Sequence, residues 1–230
     1  MSALQSATAV ATLKSGFLDG IAASDLRTIL AAARQRHFLA HSVIVNQGEP
    51  ADHLYLLTSG RARFFYNTQD GRKAILSWLI PGDIFGGAAI VSTLCPYLVS
   101  TEALQDCHTF VWDRHTLRNL VMRYPKLWEN GFLIAYDYFA WYVADHVALI
   151  SHTARQRLAN VIVCLSETIG KKVAAGYEFD ATNEELAGAA NVTPFTVSRL
   201  LNEWQREHAI VKSRGKITIV SRERLLDCAG

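Results

Sequence analysis

Two helix starts near the C-terminus constrain the fold of this chain most. Thr182 stands three residues before Glu185, the spacing of a capping box in which each side chain bonds to the backbone N–H of the other residue. Further along, Thr193 precedes Pro194, an N-cap followed by proline at the first helical position. The turn between the two helices falls at Asn191–Val192. Two short helices joined by such a tight turn predict a helix-turn-helix.

The second helix, predicted from Phe195 to His208, has one apolar and one polar face. The positions expected to be buried follow helical spacing and are Val197, Leu200, Leu201 and Trp204. The opposite face near the N-terminus presents Phe195, Ser198 and Arg199. A helix with short side chains and a cation at its start is typical of one that enters the major groove of DNA.

We expect Arg199, Ser198 and Phe195 to contact base edges. Arg199 can donate two parallel hydrogen bonds to O6 and N7 of a guanine, and Phe195 can touch a thymine methyl group. The next segments, Ile210–Lys212 and Lys216–Ile219, flank a short turn and predict a β wing. Side chains expected to contact the DNA backbone, which positions the protein without reading sequence, are Thr193, Thr196, Lys212, Arg214 and Lys216.

The distribution of charge agrees with a polyanion-binding C-terminus. The net charge of +2 is small, and residues 1–151 hold 12 basic and 12 acidic side chains. Residues 193–225 hold seven basic side chains against three acidic ones. This excess suggests a face for a polyanion, and a solvated basic surface is the alternative reading.

The first half of the chain has a β-rich texture. A capped short helix is predicted from Ser24 to about Arg36, and short β-rich runs follow from Phe38 to Arg114, separated by turn residues such as Asp70-Gly71. Regular short strands with glycine turns indicate a closed antiparallel β structure.

A long helix opened by Pro125 carries two apolar stripes. One stripe comprises Trp128, Phe132, Ala135, Phe139, Tyr142, His146 and Leu149. The other comprises Leu133, Tyr136, Ala140, Val143, Val147 and Ile150. Two stripes on one helix need two partners, so we expect one to face the β structure and the first to form a coiled-coil dimer seam. A fully buried helix in a monomer is the alternative.

The predicted fold class is α+β, in three parts. Residues 1–124 form an antiparallel β roll of the double-stranded β-helix or jelly-roll type, 125–151 a long dimerisation helix, and 152–230 a winged helix-turn-helix. The four cysteines are scattered without a CxxC pair, which argues against a disulfide framework or a cysteine-rich metal site. No signal peptide and no run of 18 apolar residues is found, so we expect a cytoplasmic protein that does not enter a membrane.

With these motifs in place, the sequence resembles the Crp/Fnr regulators. The segments that carry the likeness are 47–50 (QGEP), 54–60 (LYLLTSG), 81–86 (PGDIFG), 153–159 (TARQRLA) and 196–199 (TVSR). The resemblance implies a cyclic-nucleotide-binding-type β roll. It also implies promoter binding as a homodimer on a two-fold symmetric DNA site, with RNA polymerase as a partner.

Departures from the family pattern predict an altered effector. Gly87 stands where cAMP-binding members carry a glutamate for the ribose, and Tyr97-Leu98 where they carry an Arg-Ser clamp for the phosphate. We therefore expect no response to cAMP. The altered pocket is expected to be lined by Gly86, Gly87, Ala88, Tyr97, Leu98, Tyr138 and Trp141. Such a lining suggests a smaller or more apolar effector, or a collapsed pocket without a ligand.

The reading helix also departs from the family pattern. Phe195 replaces a glutamate that often accepts from cytosine in the family, so we expect a half-site that keeps the guanine read by Arg199 and differs beside it.

Two other functions are alternatives to DNA binding without a cofactor. Haem sensing is suggested by Cys95-Pro96, which resembles a haem-regulatory dipeptide although a turn explains it as well; the candidate axial ligands are His37, His41, His53, His108 and His146. A cupin-like metal enzyme would need a His-x-His pair, which the sequence lacks. We therefore expect no enzymatic activity, no metal and no obligatory cofactor.

Overall fold

The structure is a computed structural model that describes residues 14–71, 73–91, 93–213 and 215–229. Contacts between Cα atoms divide it into two compact units. One runs to residue 140 without 73–75, and the other comprises 73–75 and the chain from residue 141 onward.

The β roll consists of two four-stranded antiparallel sheets. Their strand orders are β1-β8-β3-β6 and β2-β7-β4-β5. The strands are β1 (Arg34–Phe38), β2 (Val43–Val45), β3 (His53–Ser59), β4 (Ala62–Asn67), β5 (Lys73–Leu79), β6 (Ile84–Phe85), β7 (Ser100–Ala103) and β8 (Cys107–Asp113). The predicted antiparallel β structure is confirmed, and the Asp70-Gly71 turn lies between the neighbouring strands β4 and β5.

Helices and short turns close one side of the roll. Short 3-10 turns lie at Gly16–Leu18 and Gly87–Ile90, and the helices are α1 (Ala23–Ala31), α2 (Arg114–Arg123) and the long α3 (Pro125–Ser151). The indole of Trp112 is fully buried and donates to the carbonyl of Ile29 over 2.8 Å, which ties β8 to α1. Asn130, on α3, donates to the carbonyls of Phe17 and Asp19 and fixes the start of that helix on the roll.

The predicted extent of the first helix is wrong at its end. The helix stops at Ala31, and Arg34–Phe38 is a strand that pairs with β8 from Arg34↔Val111 to Phe38↔Cys107. Local sequence favours a helix through Arg36, but backbone pairing with a strand more than 70 residues away decides the conformation, since β propensity depends strongly on context. The helix also starts at Ala23 without a side-chain cap from Ser24.

The face of α3 that packs on the roll was not predicted correctly. Its buried and half-buried positions are Leu127, Asn130, Gly131, Ile134 and Tyr138, a third stripe that neither predicted stripe contains. The large side chains of both predicted stripes are exposed instead. Gly131 and Asn130 allow close packing but contribute nothing to an apolar pattern, which is why the sequence did not indicate this face.

The second unit is a helical domain with a four-stranded sheet of order β11-β12-β10-β9. Its elements are α4 (Ala154–Thr168), β9 (Lys171–Val173), β10 (Gly176–Asp180), α5 (Asn183–Ala190), α6 (Pro194–Arg206), β11 (Ile210–Ser213), β12 (Lys216–Ile219) and α7 (Arg222–Asp227). The helix-turn-helix and the β11–β12 wing are confirmed. The β9–β10 hairpin and α7 were not predicted. The two wing strands are therefore one edge of a larger sheet, and β12 pairs with β10.

Candidate DNA-reading helix and ligand cavity

Local hydrogen bonds build the helix-turn-helix as the sequence predicts. Thr182 accepts from the backbone N–H of Glu185 over 3.2 Å, and the Glu185 carboxylate accepts from the Thr182 N–H over 2.8 Å. Asn191 ends α5 in the left-handed conformation with φ of 49°, a role that asparagine tolerates. Thr193 then accepts from the N–H of Thr196 over 3.1 Å and starts α6.

The inner faces of α5 and α6 form the core beneath the reading surface. The four predicted core positions of α6, Val197, Leu200, Leu201 and Trp204, are all buried, and so are Leu186, Ala187 and Ala190 of α5. This burial fixes how α6 is rotated about its axis, so the opposite side chains must face outward.

The outward face of α6 carries the predicted base-reading residues. Phe195 is 78% exposed, an unusual position for a large apolar side chain. The side chain of Arg199 is 54% exposed, and its Nη1 donates to Oε1 of Glu203 over 2.7 Å. Ser198 lies between them and is half-buried. The three side chains share one end of one helix face.

A second arginine holds the other oxygen of Glu203. Nη1 of Arg155, on α4, donates to Oε2 of Glu203 over 2.6 Å, and its guanidinium lies 5.8 Å from the ring centre of Trp204. Nε of Arg155 donates to the carbonyl of Cys228 after α7. Although desolvation opposes the shift, hydrogen bonds from Arg155 and Arg199 lower the pKa of Glu203, so it is a carboxylate at neutral pH.

Sequence reasoning missed Arg155 and Glu203. The four-residue spacing of Arg199 and Glu203 on one helix could have indicated their ion pair. Arg155 lies in the 153–159 segment, far from α6 in sequence, and no local pattern links them. A third arginine of this region, Arg157, donates to the carbonyls of His152, Ala190 and Asn191 and so supports the turn of the helix-turn-helix.

Two of the predicted backbone-contacting cations can be placed on the wing. Lys216 pairs with Glu178 of β10 over 2.7 Å, and this hydrogen bond raises the pKa of its ammonium group. The backbone N–H of Lys212 donates to Gln205 of α6 over 3.2 Å and ties the wing to the reading helix. Arg214 lies outside the described residues. Thr193 and Thr196 share a hydrogen bond of 2.9 Å between their hydroxyl groups at the start of α6.

The β roll contains a cavity of about 220 Å³ next to α3. Six of the seven predicted pocket residues line it, namely Gly86, Gly87, Ala88, Tyr97, Leu98 and Tyr138. Trp141 is not among the lining residues and instead packs edge-on against Tyr142. Nine of the remaining lining residues were not predicted: Val45, Phe64, Ile84, Phe85, Ile90, Val99, Thr101, Gly131 and Ile134. The last, Ala135, was predicted for the dimer seam.

Backbone geometry explains the glycine at the cavity wall. Gly86 has φ of 79°, and a Cβ atom there would lie 2.4 Å from the carbonyl oxygen of His53. Only glycine fits this position. Its neighbour Gly87 is different, because a Cβ atom there would meet nothing within 4 Å.

Two tyrosines contribute hydroxyl groups near this cavity. The Tyr97 hydroxyl donates to the carbonyl of His53 and accepts from its N–H, each over 3.0 Å. The ring of Tyr138 packs edge-on against Phe64, with 5.8 Å between ring centres. Burial, and to a lesser extent the charge of Asp83, raises the pKa of Tyr138, so its hydroxyl stays protonated.

The predicted seam residues of α3 lie mostly at the surface. Phe132, Phe139 and Tyr142 are more than half exposed, and Trp128 and Leu149 are also exposed. His146 is exposed as well.

Four of the histidines considered for haem lie on the roll, and the fifth, His146, lies on α3. His37 and His108 stack on neighbouring strands with 4.6 Å between ring centres, and Cys95-Pro96 lies beside Pro50 in an isolated β bridge. Across residues 14–71, 73–91, 93–213 and 215–229, no group of three or more His, Cys, Asp or Glu side chains is arranged to hold a metal ion. No helix in this described part has the length and apolar character required to span a membrane.

Comparison with known proteins matches both units. A family model described as a cyclic nucleotide-binding domain matches residues 35–124, and one described as a Crp-like helix-turn-helix domain matches residues 156–228. The CRP-like cAMP-activated global transcriptional regulator of Mycobacterium tuberculosis is 23% identical over 210 residues, which cover 90% of this chain and 93% of that protein. The anaerobic regulatory protein of Bacillus subtilis is 24% identical over 214 residues, covering 88% and 87%.

A solved structure agrees with these matches in fold. FixK2 from Bradyrhizobium japonicum superimposes with a TM-score of 0.74 at 20% identity, covering 85% of this chain and 96% of that one. A capped helix-turn-helix with a wing, a β roll, and both family models thus lead to one conclusion: the chain belongs to the Crp/Fnr family of DNA-binding transcription regulators.

Proposed function

We propose that this regulator binds double-stranded DNA as a homodimer and reads a two-fold symmetric promoter site. The observation that carries the proposal is the outward face of α6, where Arg199, Ser198 and Phe195 stand together above a fully buried inner face. Arg199 reads a guanine through paired hydrogen bonds, and Phe195 contacts a neighbouring thymine methyl group. Thr193, Thr196, Lys212, Arg214 and Lys216 contact phosphates and set the register.

Homodimer formation is supported by the exposed apolar surface of α3. Phe132, Phe139 and Tyr142 are all more than half exposed, and the second predicted stripe adds Tyr136 and Ile150. A row of large exposed apolar side chains along one helix is typical of a surface that a second helix covers. We propose that a second copy of the chain is this partner, because a homodimer presents two identical reading helices and these match a two-fold symmetric DNA site.

The proposal includes no response to cAMP. Every described side chain that lines the cavity is uncharged, and the cyclic phosphate is an anion. An anion moved from water into such a cavity loses hydration without gaining a partner, which costs several kcal/mol. The guanidinium of Arg63, on the neighbouring strand β4, is paired with Glu102 over 2.8 Å and does not line the cavity.

The remaining parts of the proposal follow from the family. The dimer acts in the cytoplasm, where its DNA target is, and contacts RNA polymerase at the promoter. It needs no haem and catalyses no reaction, so the purified protein should be colourless.

Selection of binding sites from random duplexes tests the DNA-reading proposal. The intact protein should enrich two half-sites that each contain a guanine, centred about 10 base pairs apart or a multiple of this distance. Arg199→Ala should lose about 1–3 kcal/mol of binding to the selected site and relax the preference at that guanine. Arg222→Ala is the control, because it removes the same charge at an arginine that is paired with Glu167 of α4 and is not one of the residues that we propose to contact DNA. An unchanged base preference in Arg199→Ala would overturn the proposal.

A further inference from the structure

The cavity of the β roll has the chemistry of a site for an uncharged ring compound. Its lining is apolar apart from the hydroxyl groups of Tyr97, Tyr138 and Thr101. The Tyr97 hydroxyl already uses its donor and one acceptor position on the backbone of His53. The Tyr138 hydroxyl has no hydrogen-bond partner among the described residues, so it is free to donate to a ligand.

The size of the cavity limits the ligand further. A cavity of about 150 Å³ lined by aliphatic and aromatic side chains holds one benzene molecule. A volume of about 220 Å³ therefore accommodates one ring or two fused rings. Phe64, Phe85 and Ile134 supply flat or apolar walls for such a molecule.

We propose that this cavity binds an uncharged, mainly apolar compound of one or two fused rings, with one acceptor atom for the Tyr138 hydroxyl. This proposal rests on the proposed function in one respect, namely that the bound compound acts as an effector of the regulator. The binding chemistry itself depends on the cavity alone.

Calorimetric titration of the intact protein tests this ligand class with three probes at neutral pH. Quinoline carries a ring-nitrogen acceptor, naphthalene has the same two rings without it, and cAMP is the anionic alternative. We expect quinoline to bind about 3- to 10-fold more tightly than naphthalene, the factor expected of one hydrogen bond, and cAMP not to bind. Tight binding of cAMP, or no binding of either ring compound, would overturn the proposal.

Two variants separate the cavity from surface binding. Tyr138→Phe should remove the difference between quinoline and naphthalene while both still bind. Gly87→Leu should abolish binding of both, because Gly87 lines the cavity and a Cβ atom there meets nothing within 4 Å, which leaves room for a larger side chain that takes up the ligand's space. Unchanged binding in Gly87→Leu would place the ring compounds elsewhere and refute the site. Failure of DNA reading by Arg199, measured separately, would overturn the proposed function and leave this result intact.

A different observation carries a second inference, about Glu203. Its two carboxylate oxygens each hold one guanidinium, Arg199 over 2.7 Å and Arg155 over 2.6 Å. Arg155 is itself fixed by the carbonyl of Cys228 and by the ring of Trp204. The chain of contacts therefore runs from the buried core to the exposed base-reading arginine.

The consequence concerns the freedom of Arg199. An arginine has five N–H donors, and Glu203 uses one at Nη1, leaving others for the paired contact with a guanine. A long side chain that is ordered before binding loses less conformational entropy when it binds. We infer that Glu203 is a positioning residue that holds Arg199 ready for base reading, and that Arg155 fixes Glu203 in turn.

Glu203→Gln tests this inference against a charge-matched control. Glu207→Gln removes the same charge one turn further along the helix end, where Glu207 lies 3.6 Å from Arg155 and does not contact Arg199. Both variants should bind random duplex more tightly, since each removes an anion from the DNA-facing domain. Only Glu203→Gln should lower the ratio of specific to random-duplex affinity, by about tenfold, and relax the preference at the guanine.

The opposite outcome is informative. If Glu203 competes with DNA for Arg199, Glu203→Gln will raise the specific affinity and the ratio will not fall, which overturns the inference. Arg155→Met gives a second reading, because it frees Glu203 without changing α6 and should lower the same ratio. If Arg199→Ala itself leaves base preference unchanged, the proposed function fails instead, and the two failures are thus distinguished.

Discussion

Two half-buried carboxylates, Glu203 in the second unit and Asp83 in the first, are held in opposite ways. In the second unit, Glu203 has a guanidinium at each oxygen, and despite desolvation its pKa is lowered. In the first unit, burial raises the pKa of Asp83, whose Oδ2 accepts only a backbone hydrogen bond from Ile80 over 2.8 Å. The comparison shows that a carboxylate with two guanidinium partners keeps its charge, whereas burial disfavours the charge of a carboxylate that accepts from a backbone N–H.

This difference separates what the chain shares with its family from what it has changed. The reading surface needs cations because its ligand is a polyanion. Among the described residues, no cation lines the cavity, so the ligand that we propose for it is of another class. A regulator can therefore retain DNA reading while its effector site changes chemistry, because the two sites lie in separate units.

The largest expected effect tests the exposed apolar face of α3, which we propose to be covered by a second subunit, in contrast to the apolar cavity within one subunit. Phe139→Asp places a charge where 67% of the side chain is exposed, so the subunit should fold normally. If α3 is the dimer seam, the protein should become monomeric and bind its two-fold site about 10²–10⁴-fold more weakly, since one half-site remains. Light scattering and DNA binding check both effects. A dimer that persists in Phe139→Asp would exclude this face.

The next effect tests the packing that holds the reading helix. Trp204, on the inner face of α6, is fully buried and contacts Arg155, so Trp204→Ala should lower the free energy of unfolding of the second unit by about 3–5 kcal/mol. Trp141→Ala, at an exposed tryptophan, is the control and should change it far less. Denaturant unfolding followed by circular dichroism measures the difference. Binding of quinoline in the first unit should be retained in both variants.

A smaller effect tests the cap that starts the reading helix. Thr193→Ala removes the acceptor for the N–H of Thr196 and should cost about 1 kcal/mol of stability. Thr193→Ser keeps the acceptor and should cost little. Equal losses in both variants, measured by thermal unfolding, would show that the hydroxyl group does not cap the helix.

The smallest effect concerns the uncompensated carboxylate of Asp83. Because the pKa of Asp83 is raised in the folded state, folding favours the protonated carboxyl group. The contribution of this group to the free energy of unfolding is therefore greatest below pH 3.8, and it is lost as the pH rises through the raised pKa. Asp83→Asn keeps an acceptor for the Ile80 N–H and should be slightly more stable than the natural protein at pH 7. The gain should vanish towards pH 3.8. A gain that does not depend on pH would show that desolvation of the charge is not its cause.

Several features could be predicted because they depend on neighbouring residues. The two N-caps at Thr182 and Thr193, the turn at Asn191 and the buried face of α6 all follow from spacings within a few residues. The family resemblance predicted the cavity residues, and six of those seven residues line the cavity. Hydrophobic periodicity alone does not indicate these positions.

Other features escaped prediction because distant residues decide them. The strand β1 exists through pairing with β8, and the packed face of α3 depends on Asn130 and Gly131, which read as polar and neutral in the sequence. Trp141 was predicted to line the cavity, and the structure places its ring against Tyr142.

The sequence by itself determined that this chain has a capped helix-turn-helix, a β roll and a long apolar helix, since caps, turns and periodicity are local properties. Only the tertiary structure decided that Glu203 joins Arg199 to Arg155, and that the cavity is lined by uncharged side chains, with a Tyr138 hydroxyl that has no hydrogen-bond partner in the described part of the chain. The physical reason is the same in both cases. Ion pairs and cavities form between side chains that are far apart in the chain, and their geometry exists only after the backbone has folded.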